Sequence, residues 1–325
     1  MTVVLVGATA AGKSSLAVEL ALRFAAAGRR AEVINADSML LYRGMDIGTA
    51  KPSVVERRGV RHHLIDVLDV TETSTVADFQ RLARDAITEC CTRNVVPIVV
   101  GGSALYVRAI VDDFEFPGTD PALRAELEAE MERIGAKSLH RRLAAVDPAA
   151  AATIEPGNGR RIVRALEVGT LTGRPYAATL PAYSYLLPGV VQIGLAIDRE
   201  ALDRRVAARV HRMWRAGLVD EVRRLEQAGL RRGRTASRAL GYRQVLDFLA
   251  NSISEAEAEE QTILATRRFA RRQDAWFRKD PRIHWLRWDD PQLVDSAYGL
   301  AGAGGNQASE PAESMPLPNT CAMED

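Results

Sequence analysis

The amino-acid sequence predicts an α/β fold in which helices flank a parallel sheet, with a small helical insertion domain in the middle of the chain. Apolar runs at residues 3–6, 31–34 and 95–100 alternate with amphipathic helical patterns at residues 14–26 and 77–91. Strands that alternate with helices in this way pair in parallel, because each crossover helix returns the chain to the same end of the sheet. The N-terminal part of the chain is therefore expected to build most of that sheet.

The chain divides into segments of different composition. After Pro117 the sequence becomes rich in Ala, Glu and Arg with helical patterning, which indicates an insertion. A further apolar run at residues 190–197 precedes a basic helical pattern from about Arg199, so the sheet is expected to resume there. Beyond Asp290 the chain is rich in Gly, Ala, Ser and Pro, which is typical of disorder. We predict four segments: the first part of the core (1–116), a helical insertion domain (117–188), the second part of the core with basic C-terminal helices (189–290) and a disordered tail (291–325).

The composition is that of an ordinary globular protein. Of the 325 residues, 47% are hydrophobic and 26% are charged, which excludes disorder as the default. The first residues lack the basic segment and cleavage site of a signal peptide, and the longest apolar stretch, residues 95–111, is interrupted by Pro97 and Arg108. Neither the three cysteines nor the pair His62 and His63 has metal-site spacing. We expect a cytoplasmic protein that is monomeric and has no membrane contact.

Positive charge is concentrated in the second half of the chain. The net charge of the whole sequence is only +1, but between residues 204 and 287 basic residues outnumber acidic ones by roughly two to one. Such a local excess is typical of a surface that meets phosphate groups.

A glycine-rich loop follows the first predicted strand. It fits the pattern G-x-x-x-x-G-K-[ST] and lies between an apolar strand and an amphipathic helix, which is the context in which this pattern binds phosphate. Backbone N–H groups wrap the anion, the lysine brings a full charge and the final hydroxyl is a ligand for Mg²⁺. The sequence thus predicts a P-loop NTPase-like sheet whose diphosphate-binding or nucleotide-binding residues are Gly7, Ala8, Thr9, Ala10, Ala11, Gly12, Lys13 and Ser14, with Ser14 as the metal ligand.

The P-loop alone does not identify the molecule that carries the phosphates. In the NTPases of this class a later strand ends in an Asp that helps to hold Mg²⁺, whereas here residues 95–100 are followed by Gly101, Gly102 and Ser103. Two other classes stay open on this motif. A P-loop kinase would bind ATP and a small molecule, and an RNA-binding switch would hydrolyse a bound nucleotide.

Asp37 follows the second predicted strand. The carboxyl ends of parallel strands share one edge of the sheet, so Asp37 is expected to face the phosphate site. A carboxylate beside a diphosphate is unfavourable unless a cation or a proton in transit compensates it, which makes Asp37 a candidate general base. Because Asp is also favoured at helix N-caps, a capping role is the alternative.

Several separated motifs, in the same order, resemble the tRNA dimethylallyltransferase family, also called the tRNA isopentenyl transferases. The resemblance extends from Val3 to about Trp288. It departs from the family pattern at Ala8, where proline is common, and at Ser103, where threonine is common. Neither departure removes a hydroxyl or a phosphate-binding amide. The motifs that carry the resemblance are residues 7–14, 37–38, 42–52, 101–106, 120–124, 160–167, 240–244 and 271–278.

The resemblance implies an activity. In this family a dimethylallyl group passes from dimethylallyl diphosphate to N6 of the adenosine 3′ of the anticodon in tRNA, and diphosphate is released. Mg²⁺ bridges the diphosphate and is the implied cofactor. The implied catalytic residues are Asp37 as the general base, Lys13 beside the leaving group and Ser103 as a hydroxyl that positions the base.

The resemblance also implies a set of tRNA contacts, because the target adenosine has to leave its stacked loop before it reacts. On the residue pattern alone, Arg271 and Arg272 would equally form a solvated helix face, and Trp276, Trp285 and Trp288 would be packing residues. The implied tRNA-binding residues are Asp37, Ser38, Met39, Leu40, Ser103, Arg124, Arg160, Arg161, Ile162, Val163, Arg164, Arg238, Ala239, Leu240, Gly241, Tyr242, Arg243, Arg271, Arg272, Gln273, Asp274, Ala275, Trp276, Phe277 and Arg278.

Overall fold

The computed structural model describes residues 1–114, 116–176 and 182–306, and within them a six-stranded sheet has the order β3-β2-β4-β1-β5-β6. Every neighbouring pair of strands is parallel. The predicted α/β class with a parallel sheet and flanking helices is therefore confirmed. The strands are β1 (Thr2–Val6), β2 (Ala31–Asn35), β3 (His62–His63), β4 (Val96–Val100), β5 (Val190–Ala196) and β6 (Ile283–Arg287).

Thirteen α-helices accompany this sheet within the described residues. Two of the longest helices begin with a capping box, formed by Thr75 and Asp78 in one and by Ser254 and Glu257 in the other. The helices are α1 (Lys13–Ala26), α2 (Val54–Arg57), α3 (Val76–Thr92), α4 (Ala104–Val111), α5 (Pro121–Ile134), α6 (Ala136–Val146), α7 (Pro148–Thr153), α8 (Gly159–Thr172), α9 (Arg199–Arg215), α10 (Leu218–Gln227), α11 (Tyr242–Leu249), α12 (Glu255–Phe277) and α13 (Leu293–Asn306).

The first strand lies in the centre of the sheet, and this placement determines where the phosphate-binding loop lies. β1 pairs with β4 on one side and with β5 on the other, and all five of its residues are buried. Alternate residues of β1 contribute to two cores: Val3 and Leu5 pack on the face that α1 covers, and Val4 and Val6 on the face that α3 and α4 cover. The loop after β1 thus emerges at the middle of the carboxyl edge of the sheet.

One edge strand, β6, and one helix, α13, were not predicted, whereas β3 coincides with the start of a strand-like run at His62 and His63. β3 and β6 each have a single neighbour in the sheet. The prediction of a disordered tail over 291–325 is wrong for α13. Ala297 and Ala301, four residues apart, are fully buried against the α1 side of the sheet, and the ring centroids of Tyr298 and Phe24 lie 5.0 Å apart in an edge-to-face arrangement. Small residues at helical spacing allow this close packing, and residues 307–325 lie outside the described chain.

A second compact unit is formed by Asp113–Ser184, in the part of the chain for which a helical insertion domain was predicted at 117–188. Within its described residues, helices α5 to α8 pack around a core of their own. That core includes Leu127, Leu139 and Leu143, which are almost completely buried. The unit therefore has the separate hydrophobic interior that a domain requires.

In the described parts of the chain, no helix combines the length and the apolarity that crossing a bilayer requires.

Candidate active site

The P-loop of residues 7–14 has the backbone geometry that wraps an anion. Gly7 and Gly12 have φ of 136° and 110°, which glycine adopts without strain, and Ala10 is also left-handed at 64°. Gly12 takes the N-cap position of α1, and no side chain caps the first turn of that helix. The N–H groups at the start of α1 thus remain available to an anion, where the helix dipole adds partial positive charge.

Lys13 lies within the loop with its ammonium group held by backbone oxygens. Its Nζ donates to the carbonyls of Gly7 at 2.9 Å and Ala8 at 2.8 Å. Burial, with a contribution from the cation of Arg209, lowers the pKa of Lys13 to about 8, and Asp37 acts in the opposite direction. A bound diphosphate would stabilise the charged form in the same way as Asp37 does.

Three arginines of α9 approach the P-loop, and the sequence-based prediction did not include them among the site residues. Arg205 Nε donates to the carbonyl of Ala10 at 2.7 Å, and Arg209 Nη1 donates to the hydroxyl of Thr9 at 3.1 Å. Arg212 lines the same cavity. Burial lowers the pKa of Arg209, and among the described residues its side-chain hydrogen bonds go to neutral oxygens rather than to a carboxylate. Because a guanidinium stays protonated in proteins even where burial lowers its pKa, Arg209 directs a positive charge at the P-loop.

Asp37 is fixed in a turn after β2 and does not cap a helix. Its Oδ1 accepts the N–H of Met39 at 3.0 Å. Asn35 holds the main chain of Asp37 from both sides, since its Oδ1 accepts the N–H of Asp37 and its Nδ2 donates to the carbonyl of Asp37, each at 2.8 Å. One carboxylate oxygen of Asp37 is thus used to fix its orientation, and the second is not needed for it.

Gln273 joins the P-loop to the loop after β4. Its Oε1 accepts the N–H of Thr9 at 2.8 Å, and its Nε2 donates to the carbonyl of Gly102 at 2.7 Å. The next residue, Ser103, takes the N-cap position of α4, but its hydroxyl makes no capping hydrogen bond. Gln273 is largely buried but lines both cavities of the site, so its predicted contact with tRNA stays a prediction. Its two hydrogen bonds also set the distance between two loops of the site.

Two cavities meet at this edge of the sheet. The first has a volume of about 940 Å³ and is lined by P-loop residues, including Lys13 and Ser14. The second, of about 340 Å³, is lined by Ser38, Met39 and Ser103 and by residues of α9 and α12. Six residues line both cavities and form the boundary between them: Thr9, Asp37, Thr49, Arg209, Met213 and Gln273. The predicted base therefore has access to two compartments.

The tRNA contacts predicted in the C-terminal half divide into accessible and buried residues. Arg238, Leu240 and Arg272 line the second cavity, together with the largely buried Ala239. Arg243 is exposed. Gly241, Tyr242 and Phe277 are buried in the protein interior and do not line the second cavity, and their predicted role in tRNA binding stays a prediction.

Near the end of α12, some side chains form ion pairs and others are exposed to solvent without such a pair. Arg271 is 3.2 Å from a carboxylate oxygen of Asp203 on α9. Arg278 lies 3.5 Å from the carboxylate of Asp274 and 4.0 Å above the ring of Trp285. Ala275 and Trp276 are exposed, and Trp276 is therefore not the packing residue that its pattern suggested.

The predicted tRNA-binding residues of the Asp113–Ser184 unit lie beside the buried carboxylate of Glu167 and on the first turn of α8. Glu167 is completely buried and binds Arg124 at 2.5 Å and Arg164 at 2.9 Å. Arg160 and Arg161 are exposed. Ile162 and Val163, in contrast, have their side chains in the core of the unit, and their predicted role in tRNA binding stays a prediction.

A cluster of Glu32, His63 and Cys90 has potential metal ligands within 4.8 Å of one another. Both carboxylate oxygens of Glu32 accept from Arg93, each at 2.8 Å, and His63 lies 2.7 Å away. Burial raises the pKa of the Cys90 thiol to about 12, so this group is not a thiolate at neutral pH. Arg93 already supplies the positive charge that this carboxylate needs, and we interpret the cluster as a structural ion network.

Replacement of Gln273 by Leu tests the connection between the two loops. The variant keeps the side-chain volume but leaves the N–H of Thr9 and the carbonyl of Gly102 without their partners, so we expect kcat to fall by about 10- to 100-fold. Gln261→Leu, an exposed change on the same helix, is the control. Steady-state kinetics of both variants measure the effect. An equal loss of activity in Gln261→Leu would show that any change in α12 lowers kcat, and that the hydrogen bonds of Gln273 to the two loops are not the cause.

The fold and the site define an α/β P-loop protein with a cavity beside the P-loop, a second cavity next to it and a carboxylate at the boundary between the two. Comparisons with known proteins identify the family. The sequence model of the IPP transferase family matches residues 40–280. The tRNA dimethylallyltransferase of Thermobifida fusca (strain YX) is 61% identical over 298 residues, which are 92% of this chain and 93% of that protein. The chain belongs to the IPP transferase family.

Solved structures agree with this assignment. The full-length tRNA isopentenylpyrophosphate transferase of Bacillus halodurans is 39% identical, with a TM-score of 0.70, and the match covers 95% of this chain and 97% of that one. A eukaryotic dimethylallyltransferase acting on tRNA has a TM-score of 0.78 over 98% of this chain and 82% of its own. At 24% identity, the second likeness describes the fold only.

Proposed function

We propose that this protein transfers a dimethylallyl group from dimethylallyl diphosphate to N6 of the adenosine 3′ of the anticodon in tRNA, with release of diphosphate. The observation that carries the proposal is the position of Asp37 at the boundary between a cavity lined by the P-loop and a second cavity lined by Ser103 and Arg272. The donor occupies the first cavity and the adenine the second. The names of the relatives support the same reaction.

Asp37 and the positively charged groups at the P-loop have complementary roles in this reaction. A bond forms between N6 and the allylic carbon, the bond from that carbon to the diphosphate oxygen breaks, and the N6 proton passes to Asp37. Negative charge that develops on the leaving diphosphate meets Lys13, Arg209 and the N–H groups of the P-loop. Charges that are fixed in place before the reaction usually make the largest catalytic contribution.

Mg²⁺ fits the P-loop side of the site. The hydroxyl of Ser14 lies at the first turn of α1 and lines the first cavity, so it supplies one of the hard oxygen ligands that this ion prefers. Mg²⁺ usually keeps several waters and takes other ligands from the phosphates, so a single protein oxygen is sufficient. When bound, the ion would neutralise part of the charge of the diphosphate.

A transfer assay tests the proposed function. The protein is incubated with labelled dimethylallyl diphosphate, Mg²⁺ and unmodified tRNA, and we expect label in the RNA at the adenosine 3′ of the anticodon. A parallel reaction with labelled ATP covers the two alternatives. Transfer of label from ATP to a small molecule would support a kinase, and hydrolysis of ATP stimulated by RNA would support a nucleotide-dependent switch. Absence of label from the RNA would overturn the proposal.

The arginines of α12 are expected to contribute unequally to tRNA binding. Arg272 lines the second cavity, whereas Arg271 is engaged with Asp203. We expect Arg272→Ala to weaken tRNA binding and to reduce the slope of log Kd against log salt by about 0.7 to 0.9 for each RNA phosphate that the variant no longer neutralises. Arg271→Ala should have the smaller effect.

Filter-binding titrations over a salt series measure both slopes, with Arg204→Ala on the exposed face of α9 as the control. Equal slopes in the wild type and Arg272→Ala would place Arg272 away from the RNA phosphates.

A further inference from the structure

The loop of residues 45–51 forms part of the boundary between the two cavities, although it contains none of the predicted catalytic residues. The main-chain oxygen of Thr49 accepts a hydrogen bond from Arg209 Nη2 at 3.2 Å, and the other nitrogen of that guanidinium, Nη1, donates to the hydroxyl of Thr9 in the P-loop. The direction of Arg209 therefore depends on where this loop places the Thr49 carbonyl.

A buried carboxylate holds the loop from outside the cavities. Glu221 of α10 is only 2% exposed, and its oxygens accept the N–H groups of Asp46 at 3.1 Å, Ile47 at 2.8 Å and Gly48 at 3.2 Å. Three consecutive N–H groups that converge on one carboxylate fix the backbone of the residues that precede Thr49.

Tyr242 completes the arrangement. Its hydroxyl donates to Oε1 of Glu221 at 2.6 Å, and the tyrosine is completely buried. Its ring also lies close against the loop, since a Cβ at Gly48 would be 2.5 Å from Cε2 of the ring. Any side chain at position 48 would collide with the ring of Tyr242, so only glycine fits there. Within the described chain, all four of these hydrogen bonds to Glu221 come from neutral donors, so loss of one leaves a buried carboxylate short of a partner.

The far end of the loop is anchored separately. Lys51 Nζ donates to the carbonyl of Tyr42 at 2.9 Å and contacts the carboxylates of Asp46 at 2.7 Å and Asp66 at 2.5 Å. With this end fixed by Lys51, the contacts of Glu221 and Tyr242 determine the position of the middle of the loop.

We propose that Glu221 and Tyr242 are positioning residues that hold the 45–51 loop so that the Thr49 carbonyl keeps Arg209 directed at the diphosphate. The inference rests on the proposed function in that it assigns the first cavity to a diphosphate. Neither residue lines the first or the second cavity. Their effect passes through the loop and Arg209, so it falls on the phosphate side of the site.

The test compares Tyr242→Phe and Glu221→Gln with the wild type. Tyr242→Phe keeps the ring that packs on Gly48 and removes one hydrogen bond to a carboxylate, so we expect binding of inorganic diphosphate to weaken by about 10-fold and kcat to fall by a similar factor. The Kd for tRNA should stay within about two-fold. Glu221→Gln should have the same pattern with a larger effect. Glu226→Gln, a half-exposed change on the same helix, is the matched control.

A double-mutant cycle with Arg209→Ala separates positioning from general stability. If Tyr242 acts through Arg209, then Tyr242→Phe should change diphosphate affinity by less than about two-fold in the Arg209→Ala background. A loss that is equal in both backgrounds, or a fall in Tm with unchanged diphosphate affinity, would overturn the proposal. Binding of inorganic diphosphate is measured without donor or tRNA, so this readout tests the loop even if the transfer assay shows another reaction.

Discussion

Replacement of Asp37 by Asn is expected to lower kcat by about 10²- to 10⁴-fold, the usual range for removal of a positioned proton acceptor. The amide oxygen of the variant can still accept the N–H of Met39, so the turn after β2 should keep its geometry. The loss then reports on the chemistry of the carboxylate rather than on its place in the fold. Single-turnover measurements at saturating tRNA and donor give the rate of the transfer step.

Binding measurements on the same variant distinguish a base from a binding residue. Removal of a negative charge from the wall of the diphosphate cavity should leave the affinity for inorganic diphosphate unchanged or increase it. The Kd for tRNA should change by only a few fold. Asp69→Asn, on an exposed residue paired with Arg43, is the control. If the main effect of Asp37→Asn were a higher KM for tRNA with kcat retained, Asp37 would be a contact for RNA and not the base.

Replacement of Lys13 by Met is expected to reduce kcat/KM by about 10²-fold or more, because the leaving diphosphate loses a full positive charge inside the P-loop. Methionine has a similar length, and it also cannot donate to the carbonyls of Gly7 and Ala8. We expect the affinity for inorganic diphosphate to fall together with the rate. The Kd for tRNA, which reports on the second cavity and the basic surfaces, should stay near that of the wild type.

Lys279→Met, which removes an exposed lysine after α12, is the control for the change in net charge. Isothermal titration with inorganic diphosphate and filter binding with tRNA give the two affinities. A Lys13→Met variant that transfers at the wild-type rate would place the donor diphosphate somewhere other than the P-loop.

The fold could be predicted where the sequence of a strand depends on burial alone. The runs at 3–6, 31–34, 95–100 and 190–197 are apolar because these strands lie inside the sheet with neighbours on both sides. The two edge strands carry weaker signals. β3 is only two residues long, and β6 has one buried position among accessible ones. α13 was missed because its Gly and Ala content suggested disorder. Ala297 and Ala301 serve here as small residues at a helix contact, whereas Gly299 and Gly302 are exposed.

The site could be predicted only for residues that directly follow a strand in the sequence. Lys13, Asp37 and Ser103 follow three different strands, and the parallel sheet brings those strand ends to one edge. Arg209 and Glu221 have no such local signal. Arg209 reaches the loop from 160 positions further along the chain, and Glu221 reaches it from about 175. The spacing of Arg205, Arg209 and Arg212 on one face of a helix that directly follows β5 was the one available indication.

The buried residues of the predicted RNA segments show a second limit. A motif marks a stretch of chain, whereas a helix or turn within it alternates between solvent and core. Ile162 and Val163 lie beside the exposed Arg160 and Arg161, and Phe277 lies beside the exposed Trp276. Periodicity within each motif, rather than the motif as a unit, decides which side chains are accessible.

The contact between α13 and α1 has a consequence for the synthesis of the chain. α1 begins at the P-loop, and its outer face is covered by a helix that is the last of the described elements to leave the ribosome. Arg23 of α1 pairs with Asp295 and lies 4.4 Å above the ring of Tyr298. Until α13 emerges, Phe24 and its neighbours stay uncovered, and the nascent chain has an apolar face available to chaperones. The packing around α1 is therefore completed late in folding, although the P-loop at the start of this helix is synthesised first.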